Sequence, residues 1–113
     1  MTPVEVVERY FDCMRNGDAG VAELFHDDAR LIGLGTVVSG RGAIAAFYGA
    51  SIDASRPQPR QCGPLLVAGE RVAAEIEISL ASGDVLHVVD LFVVEGDRIR
   101  SLTYFVADHP IGS

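Results

Sequence analysis

From Leu65 to Phe105 the chain reads as four extended runs, Leu65 to Ala68, Arg71 to Leu80, Val85 to Val94 and Arg98 to Phe105. Only Gly69-Glu70, Ala81-Ser82-Gly83-Asp84 and Glu95-Gly96-Asp97 separate them. Links this short join antiparallel neighbours, because a parallel pair needs a crossover of about a dozen residues or more. The second half is therefore an antiparallel meander, and the first half has to supply the layer that covers it.

Thr2-Pro3-Val4-Glu5 opens the first half with a capping box and a proline at the first helical position. Val4, Val7, Phe11 and Met14 follow at helical spacing, with Val6, Tyr10 and Cys13 beside them, and Asn16-Gly17 supplies a left-handed stop. Asp18 reads as the cap of a second, shorter helix whose inner face is Val21, Leu24 and Phe25, ending before His26-Asp27-Asp28. Ala29 to Val38 is apolar and punctuated by Gly33 and Gly35, which predicts two short extended pieces and a turn. Ala43 to Ile52 carries Ile44, Phe47, Tyr48 and Ile52 on one side, a third helix. Asp53 to Pro64 holds three of the five prolines and reads as a loop. Helices first and strands last give an α+β domain, 1–113 as a single unit.

At 113 residues the chain has room for one core, yet 49% of it is hydrophobic, so part of that apolar surface is expected to line a cavity or a subunit interface. A net charge of −7 excludes the basic footprint of a nucleic-acid binder and disfavours an anionic membrane surface. Val85 to Val94, the most apolar stretch, is interrupted by His87 and Asp90 and is far shorter than the roughly 20 residues of a membrane span. Met1 to Phe11 lacks the basic start and apolar run of a secretory signal, so the expected location is cytoplasmic, with Cys13 and Cys62 reduced.

Several patterns that often carry chemistry read more simply as scaffold. Gly33, Gly35, Gly40 and Gly42 match no phosphate loop, since a dinucleotide fingerprint would need glycine at Val38. His26, His87 and His109 are dispersed and none is paired at metal-ligand spacing, so no metal and no cofactor is expected. Glu75 and Glu77 alternate with Ile76 and Ile78, as on a strand with one solvated face. Asp90 differs, because Val88, Phe92 and Val94 share its side of an otherwise apolar strand. A carboxyl there is paired, wetted by a cavity, or protonated, since burial disfavours its charge. The residues alone leave two readings of Asp90 open, a functional acid or a structural aspartate bonded to backbone or to an arginine such as Arg98 or Arg100.

Four segments together resemble the ketosteroid isomerases, the steroid delta-isomerase branch of the nuclear-transport-factor-2-like, SnoaL-like superfamily. They are Arg9-Tyr10 with Gly17-Asp18, Asp27-Asp28-Ala29, Gly40-Arg41 leading to Ala45-Ala46-Phe47-Tyr48, and Val88-Val89-Asp90 with Thr103-Tyr104-Phe105. The resemblance implies a cone-shaped fold, three N-terminal helices packed on a curved, mostly antiparallel sheet, with an oxyanion hole in its pocket. By the same resemblance Tyr10 and Asp90 are the oxygen-binding donors, with Asp90 protonated, and Tyr48 supports Tyr10. The resemblance also places Phe25, Gly33, Val88, Phe92 and Phe105 along the ligand.

Gly33 falls where the isomerases carry their aspartate general base, and donors that stabilise an enolate need a proton acceptor to work with. The expectation is a pocket that binds a small apolar carbonyl- or phenol-bearing molecule, steroid-like or smaller, with weak or altered isomerase activity. Other superfamily chemistries, cyclisation or epoxide opening, stay open. The competing expectation is a non-catalytic ligand-binding or dimerisation module. Either way His87, Val89, Leu91 and Val93, opposite Asp90, provide a face for a homodimer.

Overall fold

The computed structural model describes residues 1–107, so His109 lies outside the described residues. Helix α1, Pro3–Arg15, begins as its sequence predicts. Thr2 Oγ1 accepts from the Glu5 amide at 3.2 Å and Glu5 Oε1 accepts from the Thr2 amide at 2.8 Å, so two otherwise orphaned donors are satisfied. Val6, Val7, Tyr10, Phe11 and Met14 form its buried stripe, and Gly17, at φ +64°, lets the chain turn out of the helix.

The second helical segment is a 3-10 helix, Ala19–Leu24, capped by Asp18, whose Oδ1 accepts from the Gly20 amide at 2.8 Å. Its six residues are too few to sustain an α-helix, and Phe25 is already extended. Strand β1 therefore runs Phe25–Gly33 and takes in His26, Asp27 and Asp28, which the sequence reading placed before the strand. Asp27 pairs with Arg41 and Asp28 with Arg100. Leu34 and Gly35, at φ 51° and 76°, make the tight turn to β2, Thr36–Ser39.

Helix α2, Arg41–Ser55, is longer at both ends than its apolar spacing indicates, and buries Ile44 and Tyr48. The expected loop after it contains a strand, β3 (Gln58–Gln61), which pairs antiparallel with β5. Proline is tolerated there because β3 is at the edge of the sheet, where a missing donor costs little. Strands β4 (Leu66–Ala68), β5 (Arg71–Ser79), β6 (Val85–Glu95) and β7 (Arg98–Ala107) form the meander.

The sheet order is β2-β1-β7-β6-β5-β3, with β4 also on β5, and it stays unclosed. Among the described residues every pairing is antiparallel except β1 with β7. Alternation decides the faces: Val72, Ala74 and Ile76 on β5 and Val88, Asp90 and Phe92 on β6 are buried toward the helices. Their neighbours Glu75, His87 and Val89 point to the outer face. This is the curved α+β arrangement that the sequence implied, and of the three helical segments among the described residues one takes the tighter form.

Candidate functional site

Three elements converge on the inner face. Tyr10 comes from the middle of α1, Tyr48 from α2, and Asp90 from the centre of β6 directly opposite Tyr104 of β7. All four line a cavity of about 260 Å³ whose remaining wall is mostly apolar, including Leu31, Phe47, Leu86, Val88, Leu102 and Val106. A second cleft of about 350 Å³, at the C-terminal ends of α1 and α2, shares Met14 and Pro57 with it but none of the four polar groups.

The Tyr10 and Tyr48 hydroxyls lie 2.8 Å apart, and either can donate. One proton is spent in that bond, which leaves the other free for a ligand. Aromatic neighbours hold the pair in place. Tyr10 meets Phe92 edge-on with centroids 5.1 Å apart, and Phe25 lies 6.3 Å from Tyr10 and 6.0 Å from Tyr48. Burial is the main cause that raises the pKa of both phenols, and the nearby Asp90 charge raises them further.

Asp90 is 4% exposed and has no side-chain hydrogen-bond partner among the described residues. Arg98 and Arg100 are not its partners, since Arg100 pairs with Asp28 and Glu95. Its oxygens open onto the cavity, and burial alone pushes its pKa up to about 7. Among the described residues neither arm of the structural alternative, a bond to backbone or to an arginine, is seen at Asp90.

The other residues implied by the resemblance are placed unevenly. Val88 lines the cavity, whereas Phe25 and Phe92 are fully buried and stand behind the tyrosines as supports. Phe105 is corrected: it is 56% exposed on the outer face, one residue out of phase with Tyr104, opposite Val89. Gly33 is corrected too. It faces inward, but a Cβ there would stand 2.4 Å from Cε2 and Cζ of Tyr104, so the tyrosine ring already fills the space a side chain would need. His26, Asp27 and Asp28 supply no substitute base, because their bonds to Glu95, Arg41 and Arg100 hold them away from the cavity.

Tyr104 was absent from the predicted site. Its signal was the alternation Leu102, Tyr104, Val106, which sets it on the face of Asp90. Its pKa is raised by burial and then by Asp90, which places the third phenol within reach of the carboxyl's field.

Solved structures share this architecture. An NTF2-like protein from Cytophaga hutchinsonii superimposes with a TM-score of 0.82 at 12% identity, over 95% of this chain and 91% of that one. A protein from Sphaerobacter thermophilus gives 0.83 at 28% identity, over 96% and 99%. A Catenulispora acidiphila protein with a ketosteroid isomerase-like fold gives 0.80 at 17% identity, over 93% and 86%. The fold is thus that of the NTF2-like superfamily. Within it, the SnoaL-like domain family matches residues 7–102, and the chain belongs to that family. No curated protein matches the sequence.

Proposed function

We propose that the cavity binds a small, mostly apolar molecule through a single carbonyl or phenol oxygen, held by Tyr10 and protonated Asp90, with Tyr48 supporting Tyr10. The observation that carries this is Asp90: a buried carboxyl without a partner among the described residues, opening into an apolar cavity beside two hydrogen-bonded phenols. A buried polar group without a partner is costly, and a ligand oxygen relieves that cost. About 260 Å³ is below the roughly 300–1,000 Å³ usual for drug-sized ligands, which favours a compact molecule of one or two rings.

The pair can also stabilise an enolate, and the chemistry then turns on where the proton goes. Apart from the three tyrosines, Asp90 is the only ionisable residue among those lining the cavity. Its pKa of about 7 supports a second reading in which ionised Asp90 is the proton acceptor and the phenols alone hold the oxygen. The pH dependence separates the two. Donation by Asp90 requires its proton, so binding weakens as pH rises through about 7, whereas turnover by Asp90 as base rises through the same range.

The test is titration of a substituted phenol into wild type, Tyr10→Phe and Asp90→Leu by calorimetry, beside an assay with a small enolisable ketone. Each substitution is expected to weaken phenol binding by about 1 to 3 kcal/mol. Unchanged affinity in both variants would remove the oxygen-binding assignment. On the outer face, exposed Val89 and Phe105 oppose one another across β6 and β7, which supports a second copy of the chain as the cover for the β6–β7 part of that face.

A further inference from the structure

We propose that Cys62, Glu75 and His87 form a binding site for a divalent cation of the zinc type on the outer face of the sheet. The three residues are far apart in the chain, but the strand register brings them together. Gln61 is opposite Ile76, and the Cys62 amide donates to the Glu75 carbonyl at 2.9 Å, so Cys62 continues β3 opposite Glu75. Glu77 is opposite His87, which makes Glu75 the diagonal neighbour of His87 on one face.

One ligand atom from each of the three lies within 4.8 Å of the others, and His87 Nε2 is 2.7 Å from Glu75 Oε2. Tetrahedral zinc, with bonds of about 2.0 to 2.3 Å, sets its ligand atoms about 3.3 to 3.8 Å apart. The difference is within reach of side-chain rotation, since β5 and β6 hold Glu75 and His87 and the amide bond to Glu75 holds Cys62 beside them. A thiolate, an imidazole and a carboxylate are the donor set that zinc accepts, and three protein ligands leave a fourth position for water. Glu77, the neighbouring carboxylate, is paired with Arg60, so Glu75 is engaged only by His87 among the described residues. Binding releases the Cys62 thiol proton and replaces the His87–Glu75 hydrogen bond with two metal bonds.

Glu75 and His87 alternate with Ile76 and Val88, so this site lies across the sheet from the phenol cavity and its test is independent of ligand binding there. Reduced wild-type protein is titrated with Co²⁺ and read by absorption. The expected result is saturation at one ion per chain, with a thiolate-to-cobalt band in the near ultraviolet that Zn²⁺ bleaches. Cys62→Ser should lose the band, His87→Ala should weaken Co²⁺ binding by about tenfold or more, and Cys13→Ser should behave as wild type. A wild type without the band, a band that persists in Cys62→Ser, or unchanged affinity in His87→Ala would overturn the site.

Discussion

Burial of Asp90 with no counter-charge among the described residues couples its proton to folding. Its pKa rises from 3.8 to about 7 on folding, so the native state keeps a proton that the unfolded chain releases earlier. The resulting stability is fully present below about pH 4 and is lost as pH rises to about 7, with an upper bound of about 4 kcal/mol. Asp90→Asn removes the titration while keeping the shape. Urea unfolding at pH 5 and pH 8 should therefore show wild type losing about 3 kcal/mol relative to Asp90→Asn between the two conditions. A pH-independent difference would mean that the carboxyl stays solvated in the folded protein.

Two strands meet at the position where the resemblance would place a general base. On β1, Gly33 leaves room that the Tyr104 ring of β7 occupies, so an acid introduced at position 33 collides with the ring before it reaches a ligand. Gly33→Asp alone should cost about 1 to 3 kcal/mol by overpacking and add no isomerisation of a small β,γ-unsaturated ketone. Combined with Tyr104→Ala, the same carboxylate has space, and a gain in rate is expected in the double variant only. Thermal melts and the ketone assay check both halves, and an equal gain in the single variant would show that the ring yields. The legible elements were those with local signals, the capping box of α1 and the period-two alternation of β5 to β7. Strand β3 was not legible, because Pro57 and Pro59 read as loop and only pairing with β5 makes Gln58–Gln61 a strand. In the site, Asp90 stood out through its apolar neighbours and Tyr10 and Tyr48 through the resemblance. Phe105 was misplaced because a one-residue phase error on a strand exchanges faces.

At the scale of the molecule, the proposed second copy meets an electrostatic obstacle. Each chain carries a net charge of −7, so two outer faces brought together repel while Val89 and Phe105 attract. Salt screens the first effect and leaves the second, so association should strengthen as ionic strength rises. Sedimentation at micromolar concentration and physiological salt should give a mass near twice 12.0 kDa, falling toward the single-chain value in dilute buffer. A single-chain mass throughout the salt series would return that face to solvent.

The one parallel pairing among the described residues, β1 with β7, joins the beginning of the sheet to its end: Arg30 lies beside Ser101 and Ile32 beside Thr103. During synthesis, the stretch that becomes β1 emerges long before the strand that holds its inner edge. Until Arg98–Ala107 has left the ribosome, β1 has only the short β2 to pair with, and Leu31 lacks the wall that Leu102 provides. Closing so long a loop costs chain entropy before any contact repays it, so the pairing of β1 with β7 is expected to form late in folding.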